Sequence, residues 1–220
     1  MIRKITFAIS GIVLALTFQN AHAQSDEKKF EAGGQMSLLW LPVYSFTDIT
    51  LQKDRTNVLG FGGRFGYNFS KSLAFESEVN FFPRDRGVEG GRKTQALFGG
   101  KVGKRFENVG VFAKARPGFI RFEKGDYFQP GGCPTVFPPP LGCYRPVATT
   151  NFAIDLGGVL EYYPSKNTVI RFDAGDTIIR FDTRIAAADQ APPRVGLAAF
   201  SKPAETTHNF QSSVGIGFRF

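Results

Sequence analysis

The sequence has few tryptophans, cysteines and histidines, and no long apolar run beyond its first residues. Its 220 residues include one tryptophan, two cysteines and two histidines. Two thiols with no histidine nearby fall short of the four ligands of a structural zinc site. The mean hydropathy of -0.13 is too polar for a bundle of membrane helices, each of which needs about 20 apolar residues. The composition therefore excludes a helical membrane protein and argues against a metal centre.

Glycine and phenylalanine, in contrast, are abundant. The chain contains 25 glycines and 24 phenylalanines, and 42% of its residues are hydrophobic. A chain this apolar and aromatic is not typical of disordered proteins, and an all-β chain of this length usually forms one domain. The composition indicates a β protein whose hydrophobicity is distributed along the sequence.

The first 23 residues have the features of a cleaved signal peptide. Arg3 and Lys4 precede an apolar stretch over residues 5–18, and 21–23 (Ala-His-Ala) form a small-x-small cleavage pattern. The apolar stretch is too short for a spanning helix, although a retained N-terminal anchor is the alternative. We predict a mature domain over residues 24–220. Loss of Arg3 and Lys4, in a segment without acids, lowers the formal charge from +8 to +6. Export also permits oxidised cysteines.

Apolar residues alternate with glycine and polar residues in eight segments, which is the period of β-strands. The clearest segment covers residues 59–69, and only residues 70–72 separate it from the next, over 73–81. The others fall near residues 30–40, 95–106, 109–119, 152–162, 170–174 and 210–220. In the seventh segment, Asp176 has outward parity unless Gly175 introduces a bulge.

The connections between these segments alternate in length. Short turns are predicted at residues 70–72, 107–108 and 164–167, and longer connections near 43–56, 84–92, 124–149 and 182–207. Short periplasmic turns and long extracellular loops are typical of transmembrane barrels. We therefore predict an all-β fold, an eight-stranded antiparallel up-and-down transmembrane β-barrel. Its four long loops would be extracellular and both termini periplasmic.

The polar face of the predicted strands carries charges of both signs. Seven basic and six acidic side chains nearly balance, as buried ions that need partners would require. An interior that eight strands leave just wide enough for side chains also explains the glycines on this face. We predict a lumen charge network of Arg64, Glu76, Glu78, Lys101, Lys114, Arg116, Asp155, Glu161, Arg171 and Asp173, with Glu31, Arg105 and Arg219 on the same face. Glu76 or Glu78 with Lys101 or Arg116 is the first expected pairing. A gated ion path is the alternative.

Two segments resemble a known family. The hairpin GFGGRFGYNFSKSLAFESEVNFF and the terminal VGIGFRF resemble the outer-membrane β-barrel family that includes the OmpA transmembrane domain and the OmpX-like small barrels. The resemblance covers residues 24–220 and implies a location in the bacterial outer membrane. It also implies that Phe218 and Phe220 form the signal read by the barrel-assembly machinery. Members range from structural proteins to adhesins and narrow pores, so the resemblance leaves function open.

The longest predicted loop contains both cysteines among several prolines. In an exported protein, Cys133 and Cys143 are expected to form a disulfide. Around the second loop, basic residues 84, 86, 92 and 93 are suited to the phosphates of lipopolysaccharide, with a solvated loop as the alternative. Outer-membrane lipid is thus an expected partner, whereas no groove typical of nucleic-acid binding is visible. Any extracellular partner of the loops is left open.

The sequence contains no catalytic motif. His208 is the only histidine of the predicted mature chain, and the sequence that follows it, Asn209-Phe210, lacks a serine nucleophile. We expect no enzyme and no cofactor. The first hypothesis is a structural or surface-interaction barrel with a salt-bridged lumen, and the second is a narrow pore for ions or small solutes. The third is a soluble lipid-binding barrel, in which the apolar face would point inward.

Overall fold

The computed structural model describes residues 28–47, 50–83, 91–130, 144–187 and 199–220. Within these ranges the chain forms ten β-strands. No helix in the described part of the chain is long and apolar enough to cross a membrane. The strands are β1 Phe30–Thr47, β2 Thr50–Asn68, β3 Leu73–Phe82, β4 Lys93–Arg105, β5 Val109–Pro130, β6 Tyr144–Tyr162, β7 Thr168–Phe181, β8 Arg184–Ala187, β9 Ala199–Lys202 and β10 Glu205–Arg219.

Eight of these strands close into an antiparallel barrel, as predicted. Strands β1 to β7 pair in chain order, and β10 pairs with both β7 and β1. The closing seam runs from Glu31 opposite Arg219 to Leu39 opposite Gln211. The short β8–β9 hairpin was not predicted. It lies within the fourth long connection and pairs with β5 at Phe128 and Ile185.

Several strands extend beyond their predicted ends. Strands β1 and β2 remain paired up to Thr47 and Thr50, so the expected loop over residues 43–56 is mostly a hairpin. Strands β5 and β6 likewise pair as far as Pro130 and Tyr144, with a register shift in β5 after Phe122. The sequences of these extensions lack a contrast between one apolar and one polar face, and the period-two pattern therefore misses them.

The tight turns lie at the end of the barrel that also holds the two described chain ends. Ser70 Oγ accepts hydrogen bonds from the amides of Ser72 at 3.2 Å and Leu73 at 3.1 Å. Ser165 Oγ accepts the equivalent bond from the Thr168 amide at 3.1 Å. Serine favours such turns because its hydroxyl can replace a backbone acceptor. We call this end of the barrel the terminal end.

The two faces of the wall differ in chemistry. Phenylalanine, leucine and valine side chains are exposed on the outside, whereas charged and amide side chains are buried inside. This arrangement is the opposite of that expected for a soluble lipid-binding barrel, in which the apolar face would point inward. Glycine makes room for the interior, because a Cβ at Gly62 would collide with the Asn80 side chain. Aromatic contacts flank the outer wall, between Phe30 and Phe220 at the terminal end and between Trp40 and Phe210 towards the other.

Candidate functional site in the barrel lumen

Arg116 on β5 lies at the centre of the lumen charges and is fully buried. Its Nη1 atom is 2.5 Å from Glu78 Oε2 on β3, and its Nη2 atom is 2.5 Å from Asp155 Oδ2 on β6. Glu76 lies farther away, at 3.6 Å. The guanidinium therefore joins β3 to β6, and the expected pairing between Glu78 and Arg116 is among its contacts.

Arg171 on β7 forms a second centre of the same network. It donates to both oxygens of Glu76, including Nη2 to Oε2 at 2.8 Å, and to Asp173 from Nε at 2.7 Å. Lys101 lies 3.0 Å from Glu76 and also contacts Glu161. This arrangement connects β3, β4, β6 and β7 through the interior.

Lys114 completes the central cluster, with Nζ 2.9 Å from Asp155 and 3.2 Å from Asp173. Nine of the ten predicted lumen residues thus belong to one connected network. The tenth, Arg64, lies apart and pairs with Glu31 at 3.1 Å. Buried charges that are paired and hydrogen-bonded in this way keep their partners, because the loss of one partner would leave an uncompensated buried charge.

The terminal end of the lumen contains a tyrosine between two arginines. Tyr163, which follows the end of β6, donates to Glu161 and accepts a 2.7 Å hydrogen bond from Arg105 Nε. Burial, together with the Glu161 carboxylate, raises the pKa of the Tyr163 phenol. Arg219 lies over the same ring, with its Cζ atom 4.9 Å from the ring centroid. The phenol therefore stays protonated and connects the terminal end to the network.

A layer of neutral polar side chains lies on the other side of the network. Asn80 donates to Glu78 Oε1 at 2.7 Å and to Gln95 Oε1 at 2.9 Å. Gln95 in turn donates to Gln211 at 3.0 Å, and Gln35 donates to Asn80 at 2.9 Å. Amide groups bridge opposite walls, so this layer also spans the lumen.

Beyond the amide layer the lumen becomes apolar, which the sequence analysis did not predict. Strand parity carries these side chains inward, since Leu39 follows Gln35 and Ser37 on the same face of β1. The residues pack as one buried cluster of Leu39, Leu41, Val58, Phe82, Ile120, Phe122, Ala153, Ile179 and Phe181. The interior therefore has three successive layers, namely charged, amide and apolar.

The described part of the outer wall carries an ionisable pair that was not predicted from the sequence. Asp176 faces outward and β7 is regular at Gly175, so the alternative of a bulge is wrong. Asp176 Oδ2 lies 2.5 Å from His208 Nδ1, and Asp176 Oδ1 accepts the Asn209 amide at 2.9 Å. In the described strands and turns, no three His, Cys, Asp or Glu side chains are grouped to hold a metal ion.

The remaining predicted residues lie at the ends of the barrel or outside the described ranges. Phe218 and Phe220 are exposed on the outer wall at the terminal end. Lys93 is buried and its Nζ donates to the Gly91 carbonyl at 3.1 Å, so it points away from any lipid surface. Cys133 and Cys143, as well as residues 84 and 86, fall outside the described residues.

Residues 10–220 match the sequence pattern of the outer membrane protein beta-barrel domain. The chain belongs to this family. No curated protein matches it. Membership in the outer-membrane β-barrel family confirms the resemblance and places the protein in the bacterial outer membrane.

Several solved structures are similar to the chain. Neisserial surface protein A is 12% identical with a TM-score of 0.48, and the match covers 87% of this chain and 97% of that one. OprH of Pseudomonas aeruginosa is 17% identical with a TM-score of 0.46, covering 87% and 99%. OprG of the same organism is 11% identical with a TM-score of 0.46, covering 90% and 99%.

Proposed function

We propose that this outer-membrane barrel is a non-conducting structural protein that displays its connecting segments at the cell surface. The supporting observation is the stack of three layers in the lumen. Arg116 and Arg171 are fully buried at the charged layer, Gln95 at the amide layer, and Phe82 at the apolar layer. An ion would have to pass all three in succession.

A narrow pore would require several of these contacts to open together. The guanidinium groups of Arg116 and Arg171 each bind two carboxylates, so passage through the charged layer means breaking several charge-assisted hydrogen bonds at once. The clustered side chains of the apolar layer are hydrocarbon and cannot replace the hydration shell of an ion. Only a few buried polar groups, among them Lys93, Asn151 and Thr207, lie at the same level among the described residues. Because the charged layer and the apolar layer each block the lumen in a different way, the structure favours the structural role over the pore.

Planar-bilayer recording of the refolded mature protein tests this proposal. We expect no steady conductance from the wild type. We expect leak currents from the double variant Phe82→Ala with Arg116→Ala, which removes a large side chain from each of two layers, and none from the matched outer-wall variant Phe81→Ala. Heat-modifiable migration in gels verifies that each protein is folded. Steady wild-type channels would support the pore instead.

The proposal includes an orientation. Residues 1–23 would be removed on export, the terminal end would face the periplasm, and the longer connections would face the medium, as is usual for such barrels. The Cys133–Cys143 disulfide would then stiffen an exposed loop. N-terminal sequencing should find Gln24 first. Proteolysis of intact cells should cut between the cysteines, with the fragments joined until reduction. A first residue other than Gln24, or protection of the loop, would contradict this part.

Two kinds of partner belong to the same proposal. The barrel-assembly machinery would bind the last strand through Phe218 and Phe220, whose rings are accessible on the outer wall. Phe220→Ala should reduce the folded fraction in cells, whereas Phe106→Ala, which removes another exposed ring at the same end, should not.

Lipopolysaccharide phosphates would contact Arg84, Arg86 and the exposed Arg92. Their joint replacement by glutamine should weaken lipopolysaccharide binding by the purified barrel.

A further inference from the structure

At the terminal end of the lumen, Arg105 has a hydrogen-bond donor to spare. Its Nε donates to Tyr163 and its Nη2 donates to Asn68 Oδ1 at 3.3 Å. Its Nη1 is buried and has no partner among the described residues. The side chain is only 9% exposed, so bulk water satisfies this donor poorly. A buried unpaired donor on a charged group costs free energy unless a ligand accepts from it.

Arg219 is a second cation with the same property. It stacks on Tyr163 but forms no ion pair with a described residue, and its buried Nε has no partner there either. The acid opposite it across the β1–β10 seam is Glu31. Glu31 binds Arg64 instead, and its second oxygen, Oε2, is also buried without a partner.

The count of acidic and basic side chains in the lumen also indicates an unpaired positive charge at the terminal end. The central network contains five acids but four bases, and Arg105 reaches the fifth acid, Glu161, at 3.6 Å. Arg64 neutralises Glu31. Arg219 therefore carries the unmatched positive charge of the lumen charges identified from the sequence. We call Glu31, Arg105, Tyr163 and Arg219 the terminal cluster.

We propose that the terminal cluster is a binding site for a protonated phosphate, either free or as a small monoester. Guanidinium groups bind phosphate oxygens through charge-assisted hydrogen bonds, and Arg105 Nη1 and Arg219 Nε supply the donors. The free Glu31 oxygen needs a donor from the ligand. Phosphate carrying one proton meets both needs, since it has anionic oxygens and a P–OH group. Sulfate, which has no proton at neutral pH, would face the Glu31 carboxylate with acceptors only.

Calorimetric titration of the full mature protein in a phosphate-free maltoside micelle tests the site. We expect saturable binding of inorganic phosphate and at least about tenfold weaker binding of sulfate, the size of effect that one hydrogen bond to a charged group gives. Arg219→Gln should weaken phosphate binding by a similar factor. The control Arg180→Gln removes an exposed outer-wall arginine and should leave it unchanged. Glycerol phosphate tests whether the natural source is a monoester or the free anion.

Glu31→Gln provides a second readout that does not depend on losing an arginine. This variant should bring the affinities for phosphate and sulfate closer together, because the glutamine amide can donate a hydrogen bond to sulfate. Three results would each overturn the proposed site. They are an absence of phosphate binding in the wild type, a phosphate affinity in Arg219→Gln equal to that of the wild type, and an unchanged ratio of phosphate to sulfate affinity in Glu31→Gln. A further outcome would also overturn the proposal, namely phosphate binding that is seen only after Asp26 and Glu27 are replaced by asparagine and glutamine. The occupant of the terminal cluster would then be the acidic segment of the chain itself.

Discussion

Replacing Arg116 with methionine should destabilise the barrel strongly. The change removes the 2.5 Å contacts with Glu78 and Asp155. Asp155 keeps Lys114 at 2.9 Å, whereas Glu78 keeps only the amide of Asn80 at 2.7 Å. One buried carboxylate is thus left without a cation, and removing one partner of a buried ion pair costs about 3–5 kcal/mol. We expect the free energy of unfolding to fall by that amount.

Urea unfolding of the barrel in lipid vesicles measures this loss, with Trp40 as the fluorescent reporter because it is the sole tryptophan. Adding Glu78→Gln to Arg116→Met should restore about 1–3 kcal/mol, since the stranded charge is then gone. Arg180→Met, on the outer wall, should change stability by only about 0.5 kcal/mol. A loss below about 1 kcal/mol in Arg116→Met, or additive effects in the double variant, would refute the reasoning.

Three further predictions concern other parts of the barrel. Gly62→Ala should lower the free energy of unfolding by about 1–3 kcal/mol, because the new Cβ meets Asn80 inside. Gly63→Ala, which faces outward with its nearest atom at 3.9 Å, should be neutral in the same urea assay. Phe82→Ala should cost about 3–5 kcal/mol through the cavity it leaves, and full stability would argue against a packed apolar layer. Cys133→Ser should speed proteolysis of the loop, consistent with about 2–3 kcal/mol for a short disulfide loop; equal rates would contradict a disulfide.

Strand parity was sufficient to divide the side chains of each strand between two faces, and the balanced charges and the glycines of one face then indicated that it points inward. Glu76 and Glu78 alternate with Phe75 and Ser77, and any extended chain sends such neighbours to opposite sides. The number of two-faced segments and the alternation of short and long connections between them predicted the closed eight-stranded barrel in a membrane. The fold and the composition of the lumen were therefore accessible from local pattern alone.

The choice of partners within the lumen was less accessible. Glu78 and Arg116 were among the expected pairs because their strands are close in chain order. The contact between Glu76 and Arg171 joins β3 to β7 across the interior, and it depends on the tilt and curvature of the wall. Alternation carries no information about either quantity, so long-range pairs cannot be read from the sequence.

The apolar layer was missed for a different reason. Leu39 and Leu41 follow the inward parity of Gln35, but their outward neighbours Leu38 and Trp40 are also apolar. A run that is apolar on both faces gives no period-two contrast. Continuing the parity of a well-defined strand past the end of its contrast would have placed these side chains correctly.

The ion network also determines the register of the strands. If one strand slipped by two residues, every outward side chain would stay in the lipid and every inward side chain would stay in the lumen, so contact with lipid could not distinguish the two arrangements. The slip would, however, move each charge by about 7 Å along the wall. Contacts such as Arg116 with Asp155 at 2.5 Å would all be lost. The buried ions thus make one stagger of the barrel uniquely stable where hydrophobicity permits several.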